Sequence, residues 1–181
     1  MTQKTMLSTA DFLHVISRTP LVAIDLIVKS DFSVAGGAAA AAAAVAHPAE
    51  PSVLVGLRCN APARDFWFVP GGRVRKDEPL DVAFARLVKD ELGLAQGTAS
   101  RSQAKFIGVF EHFYPENVAG IEEFGTHYVT LAYELASSSA AAMKADLPPE
   151  QHSEYKWLPL SQLRMDPQVH PYTKAYFGPA L

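Results

Sequence analysis

Residues 71–94 read GGRVRKDEPLDVAFARLVKDELGL. The pair Gly71-Gly72 follows the apolar run Phe66–Val69 and Pro70. Two glycines after a strand let the backbone turn sharply and come close to a ligand. Their carbonyls can also face a metal. Charged residues follow, and then the spacing predicts a helix over Pro79–Leu92. Proline sits in its first turn and Gly93 lies just past its end, the usual asymmetry of helix termini. Arg86 and Asp90 fall one turn apart, as Leu87 and Glu91 do. Glu91 therefore projects from the C-terminal part of the helix, within reach of the glycine loop. One carboxylate, a backbone carbonyl and ligand phosphate oxygens together suit Mg²⁺, which keeps several of its waters.

Outward from this segment, Ser8 and Asp11 bracket a helix start, with Phe12, Val15 and Ile16 at helical spacing. Leu21–Val28, Val53–Arg58, Phe66–Val69, Lys105–Phe113, Thr126–Leu135 and Tyr155–Leu158 read as strands. Pro167–Phe177 reads as a terminal helix. Strands outnumber helices, and the helices fall at irregular intervals. That pattern predicts an α+β fold on a mixed sheet rather than repeating βα units. One domain over 1–181 is the economical count. It carries an Ala-rich insertion at 35–51 and a second patch rich in Ala, Ser and Pro over Ala136–Glu150, read as a loop.

The chain has 181 residues, of which 49% are hydrophobic and 19% charged. Much of the hydrophobic fraction is alanine, which buries little, yet a chain of about this length still closes one core. A long disordered chain is excluded. No apolar run is long enough for a transmembrane helix, and the N-terminus lacks the apolar stretch of a secretory signal. The single Cys59 excludes an internal disulfide and fits a reducing cytoplasm. A net charge of −3 argues against bulk nucleic-acid binding. An anionic ligand must be gripped by a local basic cluster.

The same segment resembles the Nudix hydrolases. Their box is matched at Gly72, Glu78, Arg86, Val88, Asp90, Glu91, Gly93 and Leu94. The resemblance implies an α/β/α sandwich around a mixed β-sheet. Two positions depart from the box: Leu87 stands where the residue after the arginine is glutamate, and Asp90 replaces the first of the paired glutamates. Leucine cannot ligate a metal. A single Mg²⁺ (or Mn²⁺) held mainly by Glu91 is therefore expected. The departure resembles one branch, the GDP-mannose mannosyl hydrolases. The likeness to that branch extends through Thr19-Pro20-Leu21-Val22, Asp25, Gly56 to Arg58, Phe66 to Val74, His112-Phe113-Tyr114, Thr126 to Val129, Glu150-Gln151-His152, Trp157 and Ala175-Tyr176-Phe177.

This branch sends water at the anomeric carbon of a nucleotide sugar and releases GDP and a free hexose with inversion. Inverting glycoside hydrolysis ordinarily needs an acid and a base. A nucleoside diphosphate is already a good leaving group once a cation and arginines balance its charge, so only the base stays essential. Neutral histidine suits that task. By the resemblance His152 is the base, and the Gly71 carbonyl, Glu91 and Gln151 hold the metal. Arg58 and Arg73 clamp the pyrophosphate with Tyr128, and Asp25 and His112 contact sugar hydroxyls. Arg86 orients Glu78 and Glu91. His127 sits in a strand, and His14, His47 and His170 have no motif context. Trp67, Phe113 and Tyr114 are strand aromatics, which are core more often than stacking platforms. Cys59 reads as a small buried hydrophobe. The resemblance further implies a homodimer. The alternative activity is a Nudix pyrophosphatase that yields a nucleoside monophosphate and a sugar phosphate.

Overall fold

A computed structural model describes residues 7–30, 50–135, 139, 147–148 and 152–178. Residues 35–49 of the Ala-rich insertion lie outside these, as do Glu150 and Gln151.

Helix α1 (Thr9–Ile16) starts where the sequence places it: the Ser8 hydroxyl accepts from the Asp11 N–H at 3.1 Å, satisfying one orphan donor of the first turn. Strand β1 (Leu21–Ser30) follows and is buried almost throughout. It runs parallel to β6 (Thr126–Leu135), from Leu21↔Tyr128 to Val28↔Leu135. Strand β5 (Lys105–Tyr114) pairs antiparallel with β6 at the sheet edge. On the other side β2 (Ser52–Arg58) meets β1 only at Lys29↔Val53 and Ser30↔Ser52. Beyond those pairs the two strands part. β2 carries β3 (Trp67–Phe68) and β7 (His152–Pro159) with it. Gly71–Arg73 lies beside β1 where the two strands part, and Asp25 of β1 is close enough to Arg58, at the end of β2, for the arginine's charge to act on its carboxyl.

Both cores follow from the strand period of two. Ile24, Leu26 and Val28 of β1 pack on one face with α2 (Leu80–Leu92), chiefly through Ala83, Phe84, Leu87, Val88 and Leu92. Ile27, Val53, Val55, Trp67 and Phe68 pack on the opposite face with Leu163, Val169 and Tyr176. Those last three come from α3 (Leu160–Met165) and from α4 (Pro171–Ala175) and its flanks. The result is a mixed sheet between helical layers, the expected α/β/α sandwich.

Four details differ from the sequence-based expectation. Gly71–Arg73 is not only a turn: it forms a short strand, β4, paired antiparallel with Ala23–Asp25. The α2 helix begins at Leu80, with Pro79 as its N-cap. The predicted terminal helix over Pro167–Phe177 is shorter: only α4 (Pro171–Ala175) forms within it, with Pro171 in its first turn, and α3 (Leu160–Met165) is a separate, unpredicted helix that ends before Pro167. The predicted strand at Tyr155–Leu158 starts three residues earlier, so His152 belongs to a strand and pairs with Arg58 across a bulge. No described helix is long and apolar enough to cross a membrane.

Candidate active site

The glycine pair works as a strand because of what stands on each side of it. Leu26 N–H donates to the Pro70 carbonyl at 2.8 Å, and Val74 N–H to the Val22 carbonyl at 2.9 Å. Antiparallel pairs alternate, so Asp25 and Gly71 form a non-bonded pair. The Gly71 N–H and carbonyl are thus turned away from β1. A methyl at Gly71 would overlap Asp25 Oδ1, and one at Gly72 would stand 2.6 Å from Leu87 Cδ2. Side chains at either position would push the carboxylate or the helix aside.

Arg86 anchors the loop that follows. Its fork donates to both Glu78 oxygens, at 2.7 and 2.8 Å, and to the Arg73 carbonyl at 2.9 Å. The Arg75 N–H adds a 2.9 Å bond to Glu78. The Arg86 hydrogen bond holds the Glu78 carboxyl below the usual glutamate range and raises Arg86 in turn. Arg86 comes within 3.9 Å of Asp90, whose side chain is 46% exposed. Gly93 closes the helix in the left-handed region, its N–H on the Lys89 carbonyl at 3.0 Å, as a glycine C-cap should. Arg75 and Lys76 are exposed.

Glu91 is buried, and its Oε1 would lie 3.8 Å from a Cβ on Gly72. Leu87, one turn earlier, is buried in the core against the same glycine. Helix α2 therefore offers the glycine loop one carboxylate. Among the described residues no three His, Cys, Asp or Glu side chains gather as an all-protein metal cage. A single carboxylate beside an outward-turned carbonyl fits an ion that keeps most of its waters, as Mg²⁺ does. Gln151, the third expected ligand, lies outside the described residues.

His152 lies over Gly56, where a methyl would overlap its ring. It meets Tyr155 edge-on at 5.1 Å. The side chain is only 2% exposed, and Nδ1 has no hydrogen-bond partner among the described residues. Burial and the nearby Arg58 charge pull its pKa down to about 4, against a smaller opposing effect of the Gly56 backbone. The imidazole is neutral at physiological pH. A buried polar atom without a partner calls for an explanation, and a water or substrate atom would supply one.

Arg58 is the charge that most of the buried titratable groups share. Its Nε donates to the Pro62 carbonyl at 2.9 Å. Its charge acts on Asp25, Tyr114, Tyr128, His152 and His170. Arg73 is exposed, its guanidinium 4.1 Å over the Phe12 ring, and its charge also reaches Tyr128. Burial raises the Tyr128 phenol above its ordinary value. The charge of Arg58 thus reaches Asp25, Tyr128 and His152, and that of Arg73 reaches Tyr128. Burial drives the Asp25 carboxyl up to about 7, against the Tyr176 hydrogen bond and Arg58.

Sequence reasoning missed two residues here. Tyr176 donates to Asp25 and lies 3.1 Å from His112 Nε2. His170 sits within the ring cluster of Phe66, Phe68, Tyr114 and Tyr172 and caps α4 by accepting from the Tyr172 N–H at 3.2 Å. The only cue to Tyr176 was its place in the Ala175-Tyr176-Phe177 match; His170 offered none. Of the strand aromatics, Trp67 is buried under Lys156, and Phe113 is 58% exposed and stacked on His127 at 4.3 Å. Cys59 is half-exposed rather than buried.

The buried groups set an expected pH dependence of stability. His112, His152 and His170 are each held near 4 in the folded chain, mainly by burial, and return to about 6.5 on unfolding. Asp25 works in the opposite sense, since it gives up its proton on unfolding. Near pH 5 roughly two protons are taken up overall when the chain unfolds. Stability should therefore rise with pH between about 4 and 6.5. A Tm that is flat or falls across that window would overturn the assignment of these histidines as buried and neutral.

The NUDIX domain family model matches residues 37–178. The chain belongs to the NUDIX domain family. Nudix hydrolases act on nucleotide-linked substrates and generally use divalent metals such as Mg²⁺. Over 122 residues the chain is 37% identical to the low-salt glycan biosynthesis protein Agl8 of Haloferax volcanii, covering 67% of this chain and 62% of that protein. It thus spans less than two thirds of that relative's length. Among solved structures it resembles a MutT NUDIX hydrolase from Burkholderia pseudomallei, at 22% identity and TM-score 0.55, over 87% of this chain and 95% of the other. It also resembles the NUDIX domain of Shewanella oneidensis NrtR complexed with ADP ribose, at 16% identity and TM-score 0.54, over 94% and 97%. These two likenesses establish the Nudix fold.

Proposed function

We propose that this Nudix protein is a Mg²⁺-dependent nucleotide-sugar hydrolase that releases GDP and a free hexose, mannose or glucose, by attack of water at the anomeric carbon with inversion. The observation that carries this reading is the single carboxylate of α2. Leu87 is packed into the core where a further metal-binding carboxylate would stand for attack at phosphorus. The likeness to a glycan biosynthesis protein supports a nucleotide-sugar substrate.

In this mechanism Arg58 and Arg73 hold the diphosphate, and Tyr128 donates its phenolic hydrogen bond to it. Glu91, the Gly71 carbonyl and Gln151 would hold Mg²⁺, which when bound neutralises charge on the departing diphosphate. His152 accepts the proton of the attacking water. Its depressed basicity is partly the work of Arg58; an anionic diphosphate against Arg58 offsets that charge and restores basicity as substrate binds. Asp25 holds a sugar hydroxyl.

Hydrolysis in ¹⁸O-water tests the bond that breaks. Attack at carbon puts the label in the hexose and leaves GDP unlabelled. GMP with a sugar phosphate would instead establish the pyrophosphatase reaction, and label in GDP would show attack at phosphorus; either ends this proposal.

A further inference from the structure

His112 is 3% exposed, and both of its ring nitrogens have protein neighbours. Nδ1 lies 3.4 Å from Thr130 Oγ1 and Nε2 lies 3.1 Å from the Tyr176 hydroxyl. The ring is stacked on Tyr172, centroids 4.3 Å apart and 7° from parallel. Tyr172 is itself fixed: its hydroxyl donates to the Phe113 carbonyl and accepts from the Phe113 N–H, both at 2.8 Å. Tyr176 also contacts Asp25, and its ring meets Phe110 edge-on at 4.7 Å. The segment 170–176 therefore closes over Asp25 and His112 together.

The hydrogen-bond inventory gives this cluster a direction. Tyr176 has one proton and two polar neighbours. The phenol donates that proton to Asp25 Oδ2. The remaining contact then requires His112 Nε2–H to donate to the Tyr176 oxygen. That leaves Nδ1 of the neutral imidazole as the acceptor for the Thr130 hydroxyl. Every donor points towards Asp25.

We propose that Tyr176 is the positioning residue of the sugar pocket: it ends a one-way chain, Thr130 to His112 to Tyr176 to Asp25, that fixes the Asp25 carboxylate for a sugar hydroxyl, and His112 acts through this chain rather than on the sugar. The proposal rests on the assignment of Asp25 to the hexose made above, but not on turnover. One Asp25 oxygen is engaged by Tyr176, while the other lies beside Gly71, where only the missing side chain of a glycine leaves it room. Orientation of this kind matters because small displacements of a bound group reduce discrimination steeply.

Two measurements test it. In the unaltered protein, ¹³C and ¹⁵N imidazole shifts should report His112 as the neutral Nε2–H tautomer; the Nδ1–H tautomer would reverse the chain and overturn the proposal. The second measurement is the ratio of affinities for a GDP-hexose and for GDP, which does not depend on the fraction of folded protein. Tyr176→Phe should reduce that preference about ten-fold in the unaltered background and less than two-fold after Asp25→Asn, the non-additivity of residues acting as a unit. Equal reductions in both backgrounds would overturn the proposal, as would parallel losses for GDP and GDP-hexose. A protein that binds GDP-hexose selectively yet releases no GDP would sink the proposed activity and leave Tyr176 in this role.

Discussion

His152→Gln is expected to lower kcat by about 10²–10⁴, the usual share of a positioned general base, with little change in KM. Glutamine is close in size and keeps a polar atom in the pocket, but it cannot take a proton. The site is narrow: the ring fills the space over Gly56, is 2% exposed, and touches Tyr155 on its flank. A side chain of similar volume should therefore be accommodated without unfolding the strand pair Arg58↔His152. Steady-state rates on a GDP-hexose, with melting curves on both proteins, check this. A rate like that of the unaltered enzyme would remove His152 from the mechanism.

Glu91→Gln is expected to raise the Mg²⁺ concentration needed for half-maximal activity at least about ten-fold, because in the proposed site a hard cation would lose its one protein carboxylate. The size of the effect follows from the α2 face. Leu87 is buried in the core, Asp90 is exposed and near Arg86, and Glu78 is occupied by the Arg86 fork. No carboxylate on this helix stands ready to compensate. Mg²⁺ titration of activity, with Mn²⁺ binding followed by electron paramagnetic resonance, separates loss of metal from loss of fold. An unchanged metal dependence would show that the ion is held elsewhere.

Much of this architecture could be read before any coordinates. The box from Gly72 to Gly93 predicted both the helix and its carboxylate face, because caps and helical spacing are local signals. The strand over Thr126–Leu135 agrees residue for residue, since a run rich in β-branched and aromatic residues is a local signal. The short β4 was not legible. Gly71 and Gly72 carry no strand propensity, and what makes them a strand is the bare surface that lets them lie beside Ala23–Asp25. The strand at His152 was likewise hidden, because its partner Arg58 is ninety-four positions away along the chain.

The segment 71–94 determined from its own letters the turn, the helix, the missing carboxylate at Leu87 and the surviving one at Glu91. Those features depend on backbone conformation and on spacing within a few turns. The environment of each reactive group came only from folding. Burial makes His152 neutral and lifts Asp25 towards 7, and folding places Tyr176 between Asp25 and His112. These are effects of desolvation and of contacts between distant parts of the chain, and spacing along a sequence does not encode them.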